Sequence, residues 1–60
     1  MKKRELEKKM HSYGWWLERT GSNHDIWTNG IIAEPVPRHR EIAEELAKKI
    51  LRKARANRKS

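Results

Sequence analysis

The chain has no cysteine and no phenylalanine, and it contains no long apolar run. Each shortage excludes something. Without cysteine there is no disulfide staple and no thiolate zinc site. That matters at 60 residues, because a chain of this size buries only ~60% of the surface its unfolded form exposes. Extra stability is therefore expected from a partner chain or from self-association. No apolar stretch reaches signal-peptide length or the ~18 residues of a membrane span. The opening Met1-Lys2-Lys3-Arg4 is basic with no apolar segment behind it. A soluble cytoplasmic protein without a membrane partner is expected. The histidines, His11, His24 and His39, are too widely spaced for a metal motif, so no cofactor is expected. With no repeat, low-complexity segment or internal linker, residues 1–55 read as a single domain and residues 56–60 as a flexible basic tail.

Acidic residues are also in the minority. The formal net charge is +7, and it is unevenly spread. Residues 1–34 hold six Lys/Arg and five Asp/Glu, so +1, whereas residues 35–60 hold nine Lys/Arg and three Glu, so +6. A bias of this kind points to a polyanion, with nucleic acid first and an acidic protein second. A surface charged only for solubility gives the same count.

The local patterns are clear. Residues 2–13 read as a first helix, with Leu6, Met10 and Tyr13 in one stripe among charged positions. No residue offers an N-cap, so its first turn is expected to fray. Gly14 fits the left-handed position that stops it. Residues 15–20 read as a strand. Strict alternation puts Trp15, Leu17 and Arg19 on one face, the more apolar one and hence the buried one, and Trp16, Glu18 and Thr20 on the other. Residues 24–28 read as a second strand with His24, Ile26 and Thr28 on one face and Asp25 and Trp27 on the other. Each of those faces carries one large apolar residue, so the pattern does not choose between them. Asn29-Gly30 is the strongest hairpin signal and suggests a type I′ turn. A third strand over residues 31–34 is expected to end at Pro35 and Pro37. Residues 40–55 read as a second helix on the stripe Ile42, Leu46 and Ile50, acidic at its start and basic at its end.

The order is helix, three-stranded antiparallel meander, helix: an α+β fold (αβββα) with both helices on one sheet face. Double-stranded-RNA-binding domains share this architecture, which by itself gives no function.

Three short motifs stand on this frame. Gly14-Trp15 closes the first helix, with Arg19 following. Gly21-Ser22-Asn23-His24 makes a tight turn, with Gly21 supplying positive φ and an imidazole at its end. Val36-Pro37-Arg38-His39 precedes the second helix. In this order, over about residues 3–52, they resemble the HicA family of bacterial toxins, which are small mRNA interferases. The resemblance implies endoribonuclease activity without a metal, and one functional histidine at the Gly-Ser-x-His position, here His24. It also implies a HicB antitoxin that covers the active site and through which operator DNA is bound. This chain departs from the family pattern in having Lys3 where a hydroxyl residue is frequent, a short segment after His39, and a basic ending.

Metal-free RNA cleavage needs the 2′-hydroxyl deprotonated, the leaving 5′-oxygen protonated and the phosphorane charge stabilised. Imidazole suits the proton steps because its ordinary pKa, ~6.5, lies near working pH. His24 is assigned as general base, with general acid as the alternative. Gly21 allows close approach of a phosphate, and Ser22 and the turn amides offer it donors. Arg19 and Arg38 are candidate phosphate contacts, joined by Arg40. His39, expected at the start of the second helix, is expected to cap it or contact phosphate, with proton transfer as the lesser alternative. Trp16 or Trp27 is available to stack a base if RNA crosses the open sheet face. The competing reading is a non-catalytic RNA-binding module of double-stranded-RNA-binding type.

Overall fold

The computed structural model describes residues 1–58. The elements are α1 (Lys3–Ser12), β1 (Trp16–Thr20), β2 (His24–Thr28), β3 (Ala33–Pro37) and α2 (Glu44–Ala56). The strands form one antiparallel sheet in the order β1-β2-β3. This is the αβββα arrangement the patterns predict. Among the described residues, no helix is long and apolar enough to cross a membrane.

One core holds the layers together. Leu6 and Met10 of α1, Trp27 and Val36 of the sheet, and Ala47, Ile50 and Ala54 of α2 are buried together with Trp15 and Ile42 from the connections. Trp15 is the largest of those that are fully buried, 1% exposed. Burying an indole removes roughly 200 Å² from water, a gross gain of about 5 kcal/mol. Its Nε1–H also donates to the carbonyls of Ala54 (3.1 Å) and Asn57 (3.2 Å), which fixes the end of α2. Residue 56 is still helical, and Asn57 is anchored by the second of these bonds. Residues 59 and 60 of the expected tail lie outside the described residues. Just before Trp15, α1 stops at Gly14, whose φ of 87° is the left-handed conformation expected of it.

Tertiary contacts override several local readings. The first turn of α1 has no side-chain cap, as expected, yet it is not left to fray. The Lys3 N–H donates to the Arg40 carbonyl at 2.9 Å, and Lys2 forms a β-bridge with Glu41. The same pairing delays α2. The Ile42 N–H donates to the Met1 carbonyl at 2.8 Å, so residues 40–42 are not helical and the helix begins at Glu44 instead of residue 40. Ile42 fills the core from outside the helix, Ala47, Ile50 and Ala54 form the buried stripe, and Leu46 is left 38% exposed.

The strands differ in detail too. Pro35 and Pro37 lie within β3 and pair with Ile26 and His24. An edge strand tolerates them when their absent N–H groups face away from the ladder. The Asn29-Gly30 turn is not type I′, which needs positive φ at both central residues. Only Gly30 has it (94°), and β2 and β3 close at Thr28 and Ala33 around a four-residue loop. Buried Asn29 organises that loop: its Oδ1 accepts the N–H groups of Ile31 and Ile32, both at 2.9 Å, and its Nδ2 donates to the Asn57 carbonyl at 2.8 Å. Finally, the β1/β2 register shifts between Leu17 and Arg19. This bulge breaks the alternation. Leu17 opposes Trp27 and Arg19 opposes Ile26, so Leu17 and Arg19 point to opposite faces. Leu17, on an edge strand, stays 45% exposed and is not the core residue expected.

Candidate active site

The site is built from a hairpin corner and the segment that leaves the sheet. Thr20 and Asp25 form the last β1/β2 pair, and the chain turns through Gly21, Ser22 and Asn23 before His24 opens β2. The Gly21 N–H donates to the His24 carbonyl at 2.7 Å. Gly21 does not use positive φ, which among the described residues is confined to Gly14 and Gly30. What the position requires is the missing side chain, since a Cβ there would lie 2.7 Å from the His24 carbonyl oxygen.

Arg38 holds this corner from the other side. Its N–H donates to the Asn23 carbonyl (3.4 Å), its Nη1 donates to the Gly21 carbonyl (3.1 Å), and its Nε stands 3.4 Å from Asp25 Oδ1. Half of the guanidinium side chain stays exposed. His39 follows directly, but α2 begins only at Glu44, so His39 does not sit at the helix start expected for it. It is exposed and joins Ser22, His24 and Arg38 along one cleft of about 630 Å³, with the carboxylate of Glu41 also on its lining. Arg19 is exposed on the same sheet face as His24 but is not part of that lining. His11 lies exposed on α1, away from the cleft.

Burial decides the faces of β2. Asp25 and Trp27 are 6% and 7% exposed against the helices, which turns His24 and Ile26 to the open side. Trp27 is thus core and cannot stack a base, whereas Trp16 lies on the open face, 39% exposed.

Asp25 and Glu41 are the site residues that sequence patterns do not flag. Glu41 reads as an ordinary helix-start acid. Asp25 carries a signal only in hindsight, as an acid sharing a strand face with Trp27. A buried carboxylate needs a cation, and Lys3 provides one, its Nζ donating to Oδ2 at 2.8 Å and also to Glu7. Burial alone pulls the Lys3 ammonium down, but the hydrogen bonds and charges of Asp25 and Glu7 outweigh it and raise its pKa above 10.5. The lysine that departs from the expected hydroxyl thus ties α1 to the strand that carries His24. Among the described residues, no group of three or more His, Asp or Glu side chains converges in a way that could hold a metal ion.

Fold and site define a small α+β protein that displays a histidine corner on a basic helix–sheet–helix frame. The family model described as HicA toxin of bacterial toxin-antitoxin matches residues 4–56, and the chain belongs to that family. It is accordingly a toxin of a toxin–antitoxin system. No curated protein and no solved structure matches it significantly.

Proposed function

We propose that this toxin is a metal-independent endoribonuclease that cleaves mRNA at the His24 corner. The observation that carries the reading is the cleft shared by His24, His39, Ser22 and Arg38. His24 accepts the proton of the 2′-hydroxyl as that oxygen attacks phosphorus. The bond to the 5′-oxygen breaks, and that oxygen leaves with a proton. His39, lining the same cleft, is the group available to donate it. With His24 as the acid, the two roles reverse. Each positioned proton transfer typically contributes ~10²–10⁴-fold. The exposed half of Arg38 stabilises the phosphorane charge, and the Ser22 hydroxyl donates to a phosphate oxygen. The products are a 2′,3′-cyclic phosphate and a 5′-hydroxyl.

The partner in this reading is a HicB-type antitoxin that covers the cleft, with operator DNA reached only through the antitoxin complex. Cytoplasmic mRNA as substrate implies a cytoplasmic toxin. The alternative of a non-catalytic double-stranded-RNA-binding module is less well supported, because α2 opens on Glu44 and Glu45 where such a module wants cations. The test is incubation of RNA with the unaltered protein and with His24→Ala, each with and without chelator. Cleavage that survives chelator and disappears in the variant supports the proposal. RNA that the unaltered protein binds but leaves intact refutes it, as does a product ending in a 3′-hydroxyl.

A further inference from the structure

A second cleft, of about 600 Å³, adjoins the first and shares Arg38 with it. Its other lining residues are Lys2, Lys3, Arg4, Glu7 and Arg40. Two basic segments far apart in sequence, at residues 2–4 and 38–40, meet there. The meeting is made by backbone, through the bridge between Lys2 and Glu41 and the Lys3 N–H on the Arg40 carbonyl. Within the cleft, Glu7 is paired with Lys3, and Arg38 faces buried Asp25. Lys2, Arg4 and Arg40 are exposed and pair with no carboxylate among the described residues. Three cations without counterions at one place repel one another, and a bound anion relieves that.

We infer that this cleft binds the phosphodiester backbone of RNA flanking the scissile bond, with Lys2, Arg4 and Arg40 as the phosphate contacts. The inference rests on the ribonuclease reading of the His24 cleft and gives that substrate a path. Two features select RNA over an acidic protein. Every residue on the lining is charged, and none is an aromatic or aliphatic residue, whereas protein interfaces are centred on buried aromatic or aliphatic anchors. Arg38 also lines both this cleft and the proposed reaction centre, so a strand held at His24 has these cations next along its path. Contacts of this kind hold RNA in register and carry no sequence information.

The test is a binding titration that does not depend on cleavage. The probe is a labelled oligoribonucleotide methylated at every 2′-hydroxyl, read by fluorescence anisotropy against the His24→Ala chain over a range of salt. Arg4→Ala with Arg40→Ala is added to that background, and Lys8→Ala with Lys49→Ala serves as a control of equal charge. Each single-strand phosphate contact contributes ~0.7 to the slope of log K against log salt, so losing two lowers the slope by about 1.4 and the affinity about 25-fold near ~0.1 M salt. The control pair is expected to leave the slope within about 0.3 of its parent on the same scale. An Arg4/Arg40 variant indistinguishable from the control overturns the inference. So does an unchanged RNA affinity accompanied by weakened binding to the antitoxin, which makes the cleft a protein contact. Circular dichroism confirms that the variants are folded. If the unaltered toxin cleaves RNA while the cleft variant binds like the control, the inference alone fails. If cleavage is absent but the affinity loss appears, the catalytic reading alone fails.

Discussion

Replacing Asp25 with asparagine keeps the shape of the side chain and removes its charge. Asp25 is 6% exposed, 2.8 Å from the Lys3 ammonium and 3.4 Å from Arg38 Nε. Breaking a fully buried ion pair by removing one partner costs about 3–5 kcal/mol. The expected cost here is smaller, because Lys3 keeps Glu7 and Arg38 is half exposed and free to turn to water. An amide oxygen also still accepts from Lys3, though without the charge that makes such a bond roughly twice as strong. About 2 kcal/mol is expected to be lost. A core of this size rarely supplies more than ~3–5 kcal/mol in all, so the loss is conspicuous. At roughly 4–8 °C per kcal/mol, Tm should fall by about 8–16 °C. Thermal and urea unfolding followed by circular dichroism measure it, and a double-mutant cycle with Lys3→Met isolates the pair. A Tm shift under about 4 °C, or a coupling energy under about 0.5 kcal/mol, would refute the idea that this carboxylate locks α1 and Arg38 to the histidine corner.

Further outcomes follow from the same geometry. Gly21→Ala forces its Cβ against the His24 carbonyl, 2.7 Å away, and under the proposed ribonuclease reading the displaced corner should lower kcat/KM for RNA about 10²-fold. Trp15→Phe loses two hydrogen bonds to the end of α2, whereas the buried Nε1 of Trp27 has no partner to lose. Urea titration should therefore find Trp15→Phe about 1–2 kcal/mol costlier than Trp27→Phe. The pKa of Lys3 is raised above 10.5, so its stabilising contribution is complete below that pH and is lost as pH rises through the folded value. Lys3→Arg, which does not deprotonate there, should show a shallower fall in urea midpoint at alkaline pH. Ile31, 88% exposed at the loop tip, should tolerate lysine within about 0.5 kcal/mol by the same measurement.

Element order was legible because its signals are local. The α1 stripe and its stop at Gly14 lie within one short stretch, and so does the alternation of β2. Boundaries were less legible wherever a distant segment satisfied backbone groups. Ile42 belongs to a helical repeat with Leu46 and Ile50, and nothing nearby shows that Met1 will take its N–H. Pro35 and Pro37 read as strand breakers because no local pattern reveals that β3 is an edge. A single bulged residue in β1 separated Leu17 from Arg19, and period-two reasoning does not survive an inserted residue.

The His24 corner shows the division most clearly. Its residue types, its turn and its kinship with the HicA toxins are carried by contiguous motifs, so the one-dimensional chain was enough to single it out. The direction His24 faces was not, because each side of β2 carries one large apolar residue. Packing chose, burying Trp27 and placing Asp25 where Lys3 could neutralise it. The gathering of Ser22, Arg38 and His39 around His24, and of Lys2, Arg4 and Arg40 beside it, likewise came from chain segments far apart in sequence. Local patterns set by periodicity and turn chemistry hold no information about such meetings, which exist only once the sheet and the two termini have closed on a common core.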